Sequence, residues 1–392
     1  MATLIILSTV AVILWLFQVV FSILFHKRER AAKVDGLAPP SISVIMPVYN
    51  EAPEHIRSSL LSILAQQRVN LEVTIVDDGS DEPVELDDFP MVKLVRISEN
   101  VGKRQAQIAG VEYARYDWIA TVDSDTSLDP QALYFLYAAI VAQKVDAVTG
   151  SIFVANRKEN LLTKIASCMY GLSIFQHRAE QAMFGNVMCC SGALSLYRKS
   201  VMLEHKDDYV NQTILGRRCK AGDDRHMTGL FLFSGHRVGW TSWARCWTNI
   251  PMTISALIKQ QMRWVRSHTA EMFFLMSCKG WTLPFAFFAT KLMFNYAYRA
   301  TMFAVLIISI ISGQALVPLI LVFGGMFGSL IVKLIMEHFW GQDLLHGEAG
   351  KLRHLLSYAL FDFFVLTPVI SYAIFTPWKV GWLTRGRLED SV

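Results

Sequence analysis

Ser41-Ile-Ser-Val-Ile-Met-Pro-Val-Tyr-Asn-Glu51 decides how the chain reads. Its near-continuous apolar core is the signature of a strand covered on both faces, as in a parallel sheet. Proline lacks the N–H that a ladder needs, so the strand is expected to break at Pro47. Outward from it, Ile56–Gln67 has helical periodicity. Leu71–Val76 is a second strand, ending in Asp77-Asp78-Gly79-Ser80. Lys93–Ile97 is a third, and Asn100-Val-Gly-Lys-Arg104 starts a helix through Tyr113. Trp118–Val122 is a fourth strand, ending in Asp123-Ser-Asp125. Strand and helix alternate, with polar residues gathered at strand C-terminal ends. That pattern defines an open α/β sheet whose ligands bind in the crevice at those ends. Beyond it, Gln131–Lys144 is helical, Asp146–Val154 is strand-like, and Leu161–Met183 is a long helix carrying Arg178 and Glu180. Gly222-Asp-Asp-Arg-His-Met-Thr228 opens a further helix.

The 392 residues are 53% hydrophobic and only 18% charged, with a mean hydropathy of +0.34. The apolar excess gathers in the first 25 residues and after about residue 283, which points to a membrane protein with a soluble middle. Thr3–Phe25 is long enough to span, and His26-Lys-Arg-Glu-Arg30 follows at once. The positive-inside rule puts that end, and the domain after it, in the cytosol. A cleaved signal peptide would carry its basic residues before the apolar run. A net charge of +4 gives no reason to expect nucleic acid. The six cysteines form no C-x-x-C pair or zinc spacing and read as reduced cytosolic thiols. There is no G-x-G-x-x-G and no G-x-x-x-x-G-K-[ST], so a dinucleotide oxidoreductase or P-loop ATPase is unsupported.

The acidic clusters carry the chemistry. Asp123 and Asp125 can present two hard carboxylates on one side of a turn, suited to Mg²⁺ or Mn²⁺ when substrate phosphates complete the shell. A nucleotide-sugar donor has such a requirement, because its leaving group is a diphosphate. Asp77 or Asp78 can meet the uracil or ribose edge, and Lys103 and Arg104 can offset phosphate charge. Transfer to a sugar hydroxyl also needs a base, and Asp224 is the candidate, with Asp223 as a helix cap. In Ile258-Lys-Gln-Gln-Met-Arg-Trp-Val-Arg-Ser267, helical spacing puts Gln260, Arg263 and Trp264 on one face. An Arg fork can grip phosphate and a Trp face can stack on a sugar ring.

With these residues assembled, the chain resembles the processive family-2 β-glycosyltransferases, and within them the hyaluronan synthases and the nodulation-type chitooligosaccharide synthases. The matching stretches are Pro47–Glu51, Val76–Ser80, Asn100–Arg104, Val122–Asp125, Ser191–Arg198, Tyr209–Gly216, Gly222–His226 and Gln260–Trp264. The resemblance implies an α/β GT-A glycosyltransferase domain with transmembrane and interface helices. It implies Asp78 against the uridine, Asp123 and Asp125 on UDP and the metal, and Asp224 as the inverting base. It also implies Gln260, Arg263 and Trp264 on the diphosphate and acceptor sugar, and Cys190, Ser191 and Gly192 along the acceptor site. Trp382-Leu-Thr-Arg385 resembles the Trp-Gly-Thr-Arg loop of hyaluronan synthases, which would bring Trp382 and Arg385 over the UDP, although Leu383 departs from that form. Asn156–Lys164, Asn211-Gln-Thr213 and the Asp223-Asp224 pair resemble the hyaluronan branch. The single N-terminal span, Asn100–Ala109 and Phe184–Cys190 resemble the chitooligosaccharide branch. Both imply UDP-GlcNAc and a growing polysaccharide acceptor; UDP-GlcA belongs to the first alone. A polyprenyl-phosphate sugar transferase would not need the Gln260–Trp264 pattern. A channel with a non-catalytic domain would not need Asp123, Asp125 and Asp224 together.

The expected organisation is a transmembrane helix over 1–30, a cytosolic GT-A domain over 31–250, amphipathic interface helices over 251–283, and a channel region with a gating-loop-like tail over 284–392. That is a multi-pass protein of the plasma (inner) membrane, embedded in the lipid bilayer. Phe285–Ile311, Ala315–Ile335 and Leu355–Phe375 are each about long enough to span. Lys291, Asn295 and Arg299 recur every four residues, so this stripe is expected either to line a polar exit path or to snorkel to the interface. Pro368 is expected to break the last span into a re-entrant form that returns the tail to the cytosol.

Overall fold

The computed structural model describes residues 2–32, 36–214, 216–219, 221–277, 282–313, 324, 327–328 and 352–379. Helix α1 (Ala2–Ala31) is a single apolar rod with Arg28 and Arg30 in its last turn. There follow β1 (Ser41–Val48), α2 (Pro53–Leu64), β2 (Asn70–Asp78), β3 (Lys93–Ile97), α3 (Lys103–Tyr113), β4 (Trp118–Thr121), β5 (Thr126–Leu128), α4 (Ala132–Gln143) and β6 (Ala147–Val154). Then come α5 (Leu161–Leu172), α6 (Ala179–Met183), β7 (Ser195–Arg198), α7 (Lys199–Glu204), α8 (Lys206–Val210) and a small hairpin of β8 (Thr213–Ile214) and β9 (Arg217–Arg218). Last come α9 (Asp223–Phe233), β10 (Val238–Thr248), α10 (Ile254–Ser277), α11 (Leu283–Ile311) and a C-terminal helical run from Leu352 to Ile374.

The main sheet has the order β3-β2-β1-β4-β7-β6-β10-β5. β1 pairs parallel with β2 and β4, and β7 runs antiparallel between β4 and β6. This register collects the chemistry at one edge. Val48 lies opposite Asp77, Ile45 opposite Thr121, and Thr121 opposite Ser195. The ends of β2 and β4 and the loop entering β7 therefore open on the same crevice. Ile42, Ile45, Met46, Ile75, Ile119 and Trp240 fill the core behind it, all fully buried.

Three expectations need correction. First, β1 runs through Pro47 to Val48. The carbonyl of Ile45 takes its last bond on the β4 side, from Val122 N. Pro47, two residues on, would have donated toward the same side, past the final pair, so no ladder bond is lost there. Second, the Leu161–Met183 helix is interrupted by a π-helical turn, Ser173–Arg178. The carbonyl of Phe175 in that turn accepts from Ser22 Oγ of α1 at 2.8 Å and faces His26 Nε2 at 3.3 Å. Third, the C-terminal run does not reverse at Pro368. It absorbs the proline just after a π turn, Asp362–Leu366, and continues as helix to Ile374.

β10 is a strand that no sequence expectation covered. Its tryptophans at 240, 243 and 247 fall at near-helical spacing. A bulge between Trp240 and Arg245 resets the alternation that would reveal a strand.

Among the described residues, three helices are long and apolar enough to cross a membrane: Ile6–Ala31, Leu283–Ile311 and Arg353–Ile374. The expected span Ala315–Ile335 lies outside the described residues, apart from helical positions 324, 327 and 328. Two residues of the polar stripe on α11 have partners within the fold. Lys291 is buried, with Nζ on both carboxylate oxygens of Glu180 and on Gln18 Oε1. Arg299 pairs with Asp362 and donates to Thr367 Oγ1.

Candidate active site

Lys103, the first residue of α3, is the hub of the crevice. Its Nζ lies 2.8 Å from Asp123 Oδ1, beyond β4, and 2.9 Å from Asp223 Oδ2, at the start of α9. Gly192, in the loop entering β7, closes the group. A Cβ there would stand 2.9 Å from Asp123 Oδ1, 2.9 Å from Asp224 Oδ1 and 3.0 Å from Lys103 Nζ. Only glycine lets the backbone come this close, and its N–H can then donate to Asp224. Four segments far apart in sequence thus meet around one ammonium group.

The charges are unequal. Burial, then the neighbouring Asp223, push the Asp224 carboxyl well above the ordinary carboxylate range. Burial also works against ionised Asp223, but the Lys103 ammonium outweighs it and Asp223 is held low. The pair is thus split, with Asp224 raised and Asp223 lowered toward the Lys103 ammonium. Burial lowers Lys103, and Asp123 and then Asp223 beside it more than reverse this, so it remains a cation. A pair split in this way is a common arrangement for a residue that must exchange a proton.

Asp125 stands on the other side of the turn. Burial and the charges of Asp123 and Glu51 raise it. Glu51, at the end of the opening stretch, is held by Ser124 Oγ at 3.1 Å. It was not among the sequence candidates, although it closes the strand end quoted first. Among the described residues no cluster of three or more His, Cys, Asp or Glu forms a complete cage for a metal. Two carboxylate residues side by side at a strand end do fit Mg²⁺ or Mn²⁺, which normally keeps sites for substrate phosphates.

Asp78 has a different setting. Its carboxylate accepts from Val101 N at 2.9 Å, Gly102 N at 3.0 Å and Asn100 Nδ2 at 3.2 Å. It thereby shapes the loop that launches α3 and places Lys103. The Cys190 side chain is fully buried in the core, and burial holds its thiol far above the usual range. Its backbone N–H donates to Thr228 Oγ1, which donates to the carbonyl of Asp224, so the 190–192 loop is tied to α9. Ser191 N donates to Thr149 Oγ1 at 3.2 Å.

Gln260, Arg263 and Trp264 are half-buried on α10. Burial lowers the Arg263 guanidinium, and Asp223, Asp224 and Asp123 oppose that shift, so it lies in the field of the crevice. Trp264 meets the edge of Tyr170 with ring centroids 6.0 Å apart. Gln260 Oε1 and Gln261 Nε2 are buried without hydrogen-bond partners among the described residues. Orphaned polar atoms of this kind are costly unless a ligand satisfies them. Trp382 and Arg385 lie outside the described residues.

A mostly parallel sheet with carboxylates at its strand ends, a lysine hub and a split aspartate pair define a glycosyltransferase of GT-A-like fold. Residues 43–205 match the family described as Glycosyl transferase family 2. An N-acetylglucosaminyltransferase of Sinorhizobium fredii is 31% identical over 94% of this chain and 90% of its own length. A hyaluronan synthase of Streptococcus pyogenes is 33% identical over 88% of this chain and 84% of its own. In fold, the chain is similar to a mannosyltransferase from Pyrobaculum calidifontis solved with GDP-Man and Mn²⁺. There the TM-score is 0.50 at 16% identity, covering 91% of this chain and 99% of that one. The chain belongs to glycosyltransferase family 2.

Gly192→Ala tests how tightly the four segments meet. The added methyl must displace Asp123, Asp224 or Lys103, and such a shift is expected to lower transfer about 100-fold. Turnover by the purified variant, with its melting temperature as the control for folding, checks this. Wild-type turnover would show that the cluster has slack.

Proposed function

We propose that this chain is a membrane-embedded processive β-glycosyltransferase of hyaluronan synthase type. It transfers GlcNAc from UDP-GlcNAc, and GlcA from UDP-GlcA, to a growing polysaccharide that leaves across the membrane. The observation that carries this reading is the meeting of Lys103, Asp123, Asp223, Asp224 and Gly192, with Arg263 of α10 in their field. Asp224 takes the proton of the acceptor hydroxyl. The freed oxygen attacks the anomeric carbon from the face opposite the diphosphate, the bond to the diphosphate breaks, and the configuration inverts. Lys103 and Arg263 balance the charge that develops on the leaving diphosphate, and Trp264 offers its ring to the acceptor sugar. Asp123 and Asp125 would hold Mg²⁺ or Mn²⁺, which supplies further neutralisation of that diphosphate when bound. Asp78 supports uridine binding through the Asn100–Gly102 loop that it organises, and Ser191 and the Cys190 backbone border the acceptor.

On this reading the catalytic domain lies in the cytosol of a multi-pass plasma (inner) membrane protein, which the basic end of α1 supports through the positive-inside rule. In this arrangement, residues 1–30 anchor the chain, 31–250 are catalytic, 251–283 lie at the interface and 284–392 form the exit. A second reading is a chitooligosaccharide synthase using UDP-GlcNAc alone. The Sinorhizobium fredii relative favours it, since that match extends over the larger share of this chain.

Radiolabel incorporation by the purified, detergent-solubilised chain with Mn²⁺ or Mg²⁺ separates the two. A long, hyaluronidase-sensitive product that needs both donors is expected. Short chitinase-sensitive oligomers from UDP-GlcNAc alone would establish the second reading. No incorporation from either donor, with UDP still bound, would overturn both and point to another sugar or a lipid acceptor.

A further inference from the structure

Behind the crevice lies a buried polar chain that the reaction itself does not use. His226, Glu271, Gln212 and Arg104 are 0%, 2%, 4% and 6% exposed. His226 Nδ1 is 3.1 and 3.2 Å from the two oxygens of Glu271, and its Nε2 is 3.1 Å from the carbonyl oxygen of Asp208. A carbonyl can only accept, so Nε2 carries a proton.

The direction of the chain is fixed at its other end. Arg104 donates to Gln212 Oε1 at 2.7 Å, which orients the amide so that its Nε2 donates to Glu271 Oε2 at 2.7 Å. Arg104 also donates to the carbonyls of Tyr209 and Ala221, both at 3.1 Å, and so holds the backbone entering α9. The ring of Tyr209 stacks on His226. At the same junction Gly222, with φ +82°, lies against the Ser267 side chain of α10. Arg225 reaches across to His268 Nε2 at 2.8 Å. Arg104 follows Lys103 on α3, His226 follows Asp224 by two on α9, and Glu271 lies two helical turns beyond Arg263 on α10.

We propose that His226 is a positioning residue. Bridging Glu271 and the Asp208 carbonyl through its two ring nitrogens, it joins Glu271, Gln212 and Arg104 in a clamp that fixes α3, α9 and α10 relative to one another, and with them Lys103, Asp224 and Arg263. This rests on the reading of Asp224 as the base. A misplacement of the base costs turnover more than donor binding, because the acceptor proton must be met at hydrogen-bond distance.

The test uses the full-length enzyme in detergent, with His226→Asn, Glu271→Gln and the double variant. An asparagine amide can satisfy one side of the clamp, not both. Each single variant is expected to lower kcat about 30- to 100-fold, with KM for the donor and the affinity for UDP changing by far less than kcat. The double variant should be no more than about threefold below the worse single, because one clamp is broken only once. Losses that multiply, or a rise in KM at constant kcat, would overturn the clamp. Should His226→Asn fail to fold, Gln212→Met cuts Arg104 from Glu271 and leaves the His226–Glu271 contact. A kcat lowered about tenfold is expected, and an unchanged kcat overturns the proposal. Asp224→Asn, run alongside, separates the two readings. Turnover surviving in that variant removes the base, whereas turnover surviving only in the clamp variants removes the clamp alone.

Discussion

Asp224→Asn is expected to lower transfer about 1,000-fold while UDP affinity stays within about twofold. Asparagine keeps the shape and can still accept from Gly192 N, but it cannot take a proton. Asp223 and Lys103 remain, so the ion pair beneath the donor survives. The pH dependence follows from the split pair. Burial, and then Asp223, raise Asp224, and its working form is the carboxylate. In the wild-type enzyme kcat/KM should therefore climb with pH beyond the ordinary carboxylate range before levelling. The Asn variant should lack that limb. The linked stability runs the other way. A carboxyl raised on folding favours the folded state while protonated, and this contribution is lost as pH rises toward the folded value. Asp223, held low chiefly by Lys103, contributes stability above the ordinary range that disappears as pH falls. Turnover near the wild-type level in Asp224→Asn would remove this residue from the role of base.

What the sequence made legible is what burial on both faces writes into a strand. The apolar runs at 41–48, 71–76 and 118–122, each followed by polar or acidic residues, marked β1, β2 and β4 and hence the crevice edge. The first apolar rod was equally plain, because a span needs only length and hydropathy. What stayed hidden depends on distance along the chain. Nothing local to Gly192 reveals that Asp123, Asp224 and Lys103 converge on it. Nothing local to His226 reveals Glu271, 45 residues on. β10 was masked by a bulge that breaks its alternation. The Lys291–Arg299 stripe shows the opposite hazard. Its regular spacing suggests a polar path, but each charge already has a carboxylate partner elsewhere in the fold.

Lys291→Met is expected to cost about 3–5 kcal/mol of stability, the cost of leaving one charge of a buried pair alone. Glu180 is 1% exposed, and its carboxylate lies 2.5 and 2.6 Å from Lys291 Nζ. Gln18 accepts from the same ammonium at 3.2 Å and donates to Gln176 at 3.3 Å. The pair therefore pins α1 and α11, two of the apolar rods, to α6 and the π turn of the sheet domain. Burial works to raise the Glu180 carboxyl, with Lys291 opposing it, so removal of the lysine leaves desolvation unopposed. The carboxyl would then take up a proton or open the packing to water. Adding Glu180→Gln to Lys291→Met removes the orphaned charge, so the double variant should recover most of the loss. Thermal melting in detergent, with UDP affinity measured on the material that remains folded, checks both. A sugar path lined by Lys291 makes the contrary prediction. Lys291→Met would then melt like wild type yet yield shorter or retained product, and Glu180→Gln would not rescue it. Unchanged melting of the single variant would thus dismiss the anchor, whereas a melting point lost in the single and regained in the double would leave the lysine no part in export.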